Sequence, residues 1–492
     1  MARGASASVR DWSGVLYRWR WVIGAVGVLV VALAVVHWAR ARPGYDPYGW
    51  LVWGHLTIHG KLDTNGAPSW KPLPFLFTVP YALTGVHALT LWMVTAVAAS
   101  LAGVIFAWRV AFTLVDAPPE HRYAAYLAGL VAGLALLGID GYLHTILSAE
   151  SDTIITTLCL AAIDCMLQRR HRWAFWMWWL AALGRPEVWP VLALFVAWAW
   201  RSQPAMRRQM VAGVALAPVL WFGIPAVTSK SAFTAGSLAE RSPRQLHGDK
   251  ITGTLDRFSG LDAVSVRLAA ALAVVRALLR RDRLVVLVAG FTGLWLAIEV
   301  AFALHGWPAV PRYMYEAAGT TCVLAGVFAG RVVLDAPRAL RWLADRLPVR
   351  GTTWLAAPAT GGVVAAIVIV AFAASVGHTA RHRLVDERHD LALQRERTHQ
   401  IAQLRQAITA VSGARVLACG TPNIPIAFQS ILAWDLGTNT GELYVSARHE
   451  REHPIPLENI YPHSYGWQLF PSNWTTPAQR AACRGLLYRT PA

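Results

Sequence analysis

Apolar stretches of bilayer-spanning length recur along this chain of 492 residues and are separated by short arginine clusters. A helix needs about 20 apolar residues to cross a hydrocarbon core of about 30 Å, and the first stretch, from Trp21 to Trp38, has nearly that length. Only 15% of the residues are charged, whereas an ordinary soluble domain carries about 25%. The chain therefore lacks the polar surface of a water-soluble globule, and we predict a polytopic membrane protein.

We predict an all-α membrane part with about eleven transmembrane helices. The stretch at 73–108 is too long for one crossing, so we expect a re-entrant or tilted element through Tyr81 and a spanning helix from about His87. The stretches at 173–183 and 188–200 are short enough for half-helices that dip into the membrane. The predicted helices are 21–40, 73–108, 123–139, 151–167, 173–183, 188–200, 210–227, 263–279, 284–303, 313–330 and 353–376.

The arginine clusters set the expected orientation, because basic residues concentrate in cytoplasmic loops. With the N-terminus inside, the arginine-rich stretches at 168–172, 201–209, 280–283 and 331–352 all fall on the cytoplasmic side. The net charge of +17 is concentrated in such stretches, so it indicates membrane orientation, and no nucleic-acid partner is expected. We predict a multi-pass plasma-membrane protein with an uncleaved first helix, a cytoplasmic N-terminus and an extracytoplasmic C-terminal part.

The C-terminal part has a more polar sequence pattern. We predict a membrane domain at 1–376 and a small extracytoplasmic α/β domain at 377–492, which begins with a charged amphipathic helix at 379–412. Within this domain, RVLACG and ELYVSA have the pattern of strands and IAFQSILAWDLG that of a helix. Cys419 and Cys483 lie there, in a compartment where disulfides persist. They are a candidate disulfide, with two buried thiols as the alternative.

Acidic and basic residues collect at the predicted outer ends of the helices. Asp46 lies in the first outer loop beside Pro47, which restricts the backbone and favours a stiff turn; a helix N-cap is the alternative. Local explanations compete for some of the other residues: Glu150 and Asp152 lie near a helix N-terminus, and Arg185 can pair with Glu187 within the GRPE turn. Charges at membrane depth usually face a cavity or a partner, so their recurrence predicts one shared polar cavity. The other residues are Lys71, Glu150, Asp152, Arg185, Glu187, His305, Arg312 and Tyr313.

These residue types suit one kind of chemistry. A carboxylate can act as a general base toward a hydroxyl group. The planar guanidinium of arginine fits a phosphate or pyrophosphate, and tryptophan-lined walls suit a sugar face and a lipid tail. A sugar donor linked to a lipid phosphate would need all of these groups at one interface.

Four short segments at these positions, YDPYGW, SAESD, RPE and PRYMYE, resemble the GT-C superfamily of integral-membrane glycosyltransferases, as does the helix pattern followed by an outer domain. The WKPLPF segment with Lys71 and the arginine-rich composition are similar to actinobacterial members. The resemblance implies a polyprenyl-phosphate-linked sugar donor and an inverting transfer of a hexosyl or pentosyl group. Our hypothesis is that the acceptor is a cell-envelope glycan or glycolipid on the extracytoplasmic side.

The resemblance also implies roles for individual residues, with Asp46 as the general base. Some branches of the superfamily carry a pair of carboxylates, but here Pro47 follows Asp46. No cofactor is therefore implied with certainty, and a divalent metal ion is one option. Asp63 is a second candidate for the base, although LDTNG is typical of a turn. Lys71, Arg185, His305, Arg312 and Tyr313 would bind the donor phosphate, and Glu150, Asp152 and Glu187 would position the acceptor or orient the cations.

Two other classes of protein compete with this interpretation. A transporter or lipid flippase would carry charged residues along a path through the membrane and often shows internal repeats. This sequence has no recognisable repeat, and its ionisable residues collect at one predicted face. A non-catalytic scaffold that binds glycan through its outer domain is the third interpretation.

Overall fold

The computed structural model describes residues 5–66, 70–346, 357–445, 457–463, 466–472, 477–484 and 488–489. The predicted all-α membrane part with a small C-terminal α/β unit is confirmed. The helices are α1 Ala5–Ala39, α2 Tyr45–Ile58, α3 Pro72–Ala82, α4 Ala88–Val115, α5 Arg122–Leu137, α6 Tyr142–Leu147, α7 Asp152–Leu167, α8 His171–Gly184, α9 Trp189–Ser202, α10 Arg207–Pro218, α11 Ile224–Thr228, α12 Thr234–Glu240, α13 Lys250–Ser259, α14 Val264–Arg280, α15 Arg283–Leu304, α16 Tyr315–Arg346, α17 Pro358–Val411, α18 Gly413–Cys419, α19 Gln429–Leu436 and α20 Pro477–Cys483.

Within the described residues, 6 helical stretches are long and apolar enough to cross a bilayer, or 7 if α13 and α14, which meet at a bend of 103°, form one broken span. Helices α5, α7, α8 and α9 have 14 to 16 residues and fall short of a full crossing. The number of about eleven transmembrane helices therefore stays a prediction. The long apolar stretches are Trp21–Ala39, Gly85–Val115, Pro204–Thr228, Arg283–Leu304, Pro311–Arg346 and Ala359–Val411.

The stretch at 73–108 is divided as the sequence predicts. Helix α3 ends at Ala82, a 3₁₀ turn occupies Gly85–His87, and α4 then runs as a single long helix. Helix α3 begins at a proline. Proline is tolerated in the first turn of a helix because a backbone N–H at that position would have no intrahelical partner.

Small residues let α16 pack closely against α5 in the centre of the helix bundle. A Cβ atom on Gly326 would lie 2.3 Å from the carbonyl oxygen of Ala128, and one on Gly330 would lie 2.7 Å from that of Ala124. The glycines therefore allow a backbone approach that larger side chains would prevent, as is typical of membrane helices. This packing fixes α16, whose first residues belong to the candidate site.

Helix α17 joins the membrane part to the C-terminal unit without a break. The two predicted helices at 353–376 and 379–412 are one helix of 54 residues from Pro358, and residues 353–356 lie outside the described part. The predicted domain boundary between 376 and 377 thus falls inside α17. Beyond its apolar half, the helix contacts two other parts of the chain: Arg383 donates to the carbonyl oxygens of Gly260 and Leu261, and Asp390 accepts from His144 Nδ1 at 2.8 Å.

The C-terminal unit contains a four-stranded sheet in the order β1 Thr421–Asn423, β2 Leu457–His463, β3 Gly466–Ser472 and β4 Tyr488–Arg489. Strands β1 and β2 are parallel, and the other pairs are antiparallel. In the register, Thr421 pairs with Leu457 and Ile460 with Leu469. The predicted helix IAFQSILAWDLG is confirmed as a 3₁₀ turn followed by α19.

The two predicted strands of this unit need correction. RVLACG is wrong as a strand, because these residues form the end of α18, whose buried Val416 and Cys419 lie three positions apart on one helical face. In ELYVSA, the described residues 442–445 make only one isolated bridge, from Tyr444 to Asn423, and residues 446–447 lie outside the described part. A disulfide joins Cys419 to Cys483 with the two Cα atoms 4.8 Å apart, so it links α18 to α20.

Candidate active site

Asp46 lies in the first turn of α2. The N-cap position is taken by Gly44 without a side-chain hydrogen bond, so the alternative of an Asp46 N-cap is wrong. A carboxylate in a first helical turn is stabilised by the partial positive charge of that helix end, and Pro47 is tolerated there. The Asp46 side chain is 22% exposed and faces Arg312, whose Nη2 lies 3.5 Å from Oδ2.

Arg185 is the most enclosed cation of the site, with 2% of its surface exposed. It is an extended residue between α8 and the 3₁₀ turn Pro186–Val188, and that backbone turns its side chain into the protein. Its guanidinium forms an ion pair with Asp152 and lies 3.5 Å from Glu187 Oε1. The ring centroid of Tyr313 lies 3.8 Å from its central carbon. Burying an arginine is costly unless it is paired, and these contacts provide the partners.

Arg312 connects this buried pair to Asp46. Its Nε lies 3.7 Å from Oδ2 of Asp152, which also contacts Arg185, and its Nη2 faces Asp46. The 3₁₀ turn Pro311–Met314 immediately before α16 holds Arg312 and Tyr313 in this position. The result is an alternating chain of charges that runs Glu187, Arg185, Asp152, Arg312, Asp46.

Glu150 and Lys71 flank this chain of charges. Glu150 is buried, and burial together with the nearby carboxylate of Asp46 raises its pKa to about 8. Its Oε2 has no hydrogen-bond partner among the described residues. Lys71 Nζ donates to Ser151 Oγ at 3.1 Å and lies 5.6 Å from the ring centroid of Trp50. The segment that contains Glu150, Ser151 and Asp152 thus contacts Lys71, just before α3, and Arg312, in the 3₁₀ turn before α16.

His305 does not join the buried chain of charges. Its side chain is 79% exposed, and its Nε2 lies 3.9 Å from Glu240 Oε1. It follows the last residue of α15, where the chain turns toward the 3₁₀ turn of Arg312. The sequence placed His305 and Arg312 in one segment, but the turn between them separates their side chains.

A cavity of about 690 Å³ opens beside Arg185 and has a mainly aromatic wall. Its charged lining residues come from four chain segments, so the fold collects them in one place. Asp46, Glu150 and Arg312 do not line it. Arg312 is linked to Arg185, which does, because both contact Asp152. The polar lining includes Lys71, Arg185, Glu187, Glu240, His305 and Tyr313, and the aromatic lining includes Trp70, Trp189, Trp221, Phe222, Phe233, Phe302 and Trp307.

Two buried carboxyl groups near Arg185 are absent from the sequence-based candidates. Glu299 on α15 and Glu316 on α16 are each 1% exposed, and both are close enough to Arg185 to interact with it electrostatically. Both oxygens of Glu316 lack a hydrogen-bond partner within the described part of the chain. The available signal was an isolated acid inside an apolar stretch, which is costly and usually functional.

The carboxylates are not arranged to hold a metal ion. Among the described residues, no group of three or more His, Cys, Asp and Glu side chains converges as metal ligands would. Asp46 and Asp152 instead face Arg312, which occupies the space between them. We therefore assign no step to a metal ion.

The fold is similar to that of ArnT from Cupriavidus metallidurans, solved in the apo state and bound to undecaprenyl phosphate. The TM-scores are 0.52 and 0.50, with 16% sequence identity in each case, and the alignments cover 90% of this chain and 93% of ArnT. The chain therefore has an ArnT-like membrane fold. No protein-family model and no curated protein sequence matches.

Proposed function

We propose that the protein is a membrane glycosyltransferase that transfers a hexosyl or pentosyl group from a polyprenyl-phosphate donor to a cell-envelope glycan or glycolipid. The reaction would take place on the extracytoplasmic side of the plasma membrane, with inversion at the sugar. The observation that supports this most is the chain of charges from Glu187 to Asp46, which meets the aromatic-lined cavity at Arg185. The actinobacterial assignment stays a prediction from the sequence.

The donor would bind in the cavity beside Arg185. Lys71 and Arg185 line the cavity and carry the charges that a phosphate needs, while the aromatic wall suits an isoprenoid tail. The solved complex of ArnT with undecaprenyl phosphate supports this class of ligand for a similar fold. Tyr313 stacks on Arg185 and would hold the guanidinium in position, and the exposed His305 would contact the donor at the cavity rim.

Transfer would take place where the cavity beside Arg185 approaches Arg312 and Asp46. Asp46 accepts the proton of an acceptor hydroxyl, whose oxygen attacks the anomeric carbon as the bond from that carbon to the phosphate oxygen breaks. Lys71, Arg185 and Arg312 stabilise the negative charge that develops on the leaving phosphate. Arg312 also faces Asp46, with its Nη2 3.5 Å from Oδ2, and would orient that carboxylate. Asp152 and Glu187 orient the two arginines, and Glu150 would position the acceptor.

Substitution of Asp46→Asn tests the proposal because it keeps the shape of the side chain and removes the base. We expect transfer to fall by about 10²–10⁴-fold, measured with purified protein in proteoliposomes and a panel of radiolabelled polyprenyl-phosphate sugars. Asp63→Asn is the matched control, since Asp63 accepts hydrogen bonds from Asn65 in its own turn. Near wild-type transfer by Asp46→Asn would reject Asp46 as the base, and loss only in Asp63→Asn would move the role there.

A transporter would give a different result in the same assay. It would move the labelled donor across the membrane without releasing polyprenyl phosphate. If no sugar donor in the panel yields released polyprenyl phosphate, while the labelled lipid changes leaflet, the glycosyltransferase proposal is rejected.

A further inference from the structure

A second cavity, of about 620 Å³, lies where α4 and α14 end and α15 begins, against the later turns of α16. Four arginines and three aspartates line it, so the wall carries one more positive than negative charge, four minus three. The arginines are Arg276, Arg280, Arg331 and Arg338, and the aspartates are Asp116, Asp282 and Asp335.

The ion pairs of this cavity leave hydrogen-bond donors unused. Asp335 is shared by Arg276 and Arg338, and Asp282 Oδ2 lies 3.5 Å from Arg331 Nη2. Within the described residues, exposed Arg280 has no recorded ion pair, and the buried Nε of Arg331 has no hydrogen-bond partner. The aspartates of the cavity therefore neutralise its arginines only in part, and the remaining donors can bind an anionic group.

An apolar groove continues from this cavity. It has a volume of about 770 Å³, lies between α5, α16 and α17, and shares Arg338 with the charged cavity. Arg341 and His121 are at its polar end. Its apolar wall includes Leu127, Val333, Leu334, Ala365, Ile369 and Val370. A basic mouth that opens into an apolar groove is complementary to an amphiphile with an anionic head.

This feature is separate from the candidate active site. Helix α16 carries both, and sixteen residues separate Tyr315, beside the site, from Arg331, which at about 1.5 Å per residue is about 24 Å. That distance approaches the thickness of a bilayer core, so the two features lie toward opposite membrane faces. Exposed Trp342, with Arg346 stacked on it at 4.4 Å, is typical of a helix end at the membrane interface.

We propose that the charged cavity and the apolar groove together form a binding site for an anionic glycerophospholipid of the leaflet opposite the active site. The phosphate contacts Arg338 and Arg341 and the unused donors of the charged cavity, and an acyl chain lies along α16 and α17 in the groove. Basic residues beside membrane helices attract anionic lipids electrostatically, and the groove adds a place for the chain. This proposal does not depend on the glycosyltransferase assignment.

The test measures lipid binding to purified full-length protein by native mass spectrometry, with phosphatidylglycerol and phosphatidylcholine titrated separately. Wild type should bind phosphatidylglycerol more tightly, and Arg338→Gln with Arg341→Gln should lose about 10-fold or more of that affinity. The control is Arg283→Gln with Arg346→Gln, which removes the same charge from residues that line neither cavity. Ala366→Trp, which fills the groove and keeps every charge, should also weaken phosphatidylglycerol binding.

Four results would overturn the proposal. The first two are equal binding of the two lipids by wild type, and unchanged affinity in both the arginine double variant and Ala366→Trp. The third is an equal loss of affinity in the control variant, which would indicate diffuse electrostatic attraction. The fourth is full displacement of the lipid by inorganic phosphate at millimolar concentration, which would assign the site to free phosphate. If the arginine double variant does not fold, Ala366→Trp and the lipid preference of wild type decide the question.

Discussion

Arg312 contacts two carboxylates at once, so its shape matters as well as its charge. In Arg312→Lys, a point charge replaces a planar group that reaches both Asp46 and Asp152. We expect kcat to fall by about 10-fold or more and the KM for the donor to rise, measured with the same polyprenyl-phosphate donor.

The matched control is Arg109→Lys, which alters an arginine–aspartate pair of similar geometry at a distance from the site, with Arg109 Nη2 3.0 Å from Asp164. If kcat and KM of Arg312→Lys both equal those of wild type, Arg312 does not bind the donor phosphate.

Glu150 gives the molecule a pH dependence with a defined sign. Its pKa is raised to about 8 in the folded protein from an ordinary value of 4.5, so between these values the folded state binds a proton that the unfolded state has lost. Stability is therefore lost as pH rises from about 4.5 through 8. We expect the melting temperature of wild type in detergent to fall across this range by several degrees more than that of Glu150→Gln.

An exposed carboxyl gives the control for this measurement. Glu120→Gln should leave the pH dependence of melting equal to that of wild type. If Glu150→Gln melts with the same pH dependence as wild type, Glu150 is not held in its protonated form.

How much of the site the sequence could predict differs from residue to residue. Asp46, Asp152, Arg185 and Arg312 were found because acids and bases recur at helix ends, and the structure brings their side chains together. Glu299 could not be identified as a site residue from the sequence, because the partner of a single acid in an apolar stretch is known only once the packing of the helices is known. The orientation of His305 depends on a three-dimensional turn that no spacing rule describes.

At the scale of elements, the disulfide between Cys419 and Cys483 ties α18 to α20 across a sequence separation of 64 residues. A closed loop of this size stabilises by roughly 4 kcal/mol when loop-closure entropy dominates. We expect Cys419→Ala with Cys483→Ala to make the C-terminal unit sensitive to protease at lower temperature, while the membrane part stays resistant.

Non-reducing peptide mapping of protein from its native membrane checks the bond directly and should find the two peptides linked. Two free thiols that react with an alkylating agent at these positions would contradict it. Cys159, buried in α7, provides the internal control for a thiol that stays reduced.

Helices were predicted most accurately from the sequence where the apolar stretch was long. The break between α3 and α4 followed from length alone, since the mostly apolar stretch of 36 residues at 73–108 exceeds one crossing. RVLACG failed as a strand because a run of six residues with mixed polarity fits a buried helix as well as a strand. The segment is held by a disulfide to α20, which lies far along the chain, so its neighbours in sequence do not determine whether it forms a helix or a strand.

At the scale of the whole molecule, the expected orientation has a direct test. Reporter fusions at 205 and 345 should read cytoplasmic, because both lie in or beside arginine-rich stretches, and a fusion at 480 should read extracytoplasmic. A fusion near 62, in the loop between α2 and α3, should agree with the one at 480. A cytoplasmic signal at 480 with an external one at 62 would mean that the number of crossings between them is wrong.

Because α17 is one unbroken helix, its length determines how the residues beyond its apolar half are rotated and positioned relative to the helix bundle. Inserting one residue near 379 would turn everything beyond it by about 100° and lift it by about 1.5 Å, which would swing Arg383 and Asp390 away from their partners. Seven inserted residues would restore the angle to within about 20° but move the C-terminal unit about 10 Å along the helix axis. No insertion preserves both the rotation and the displacement of the C-terminal unit. Insertions and deletions that a surface loop tolerates should therefore not be tolerated in this helix.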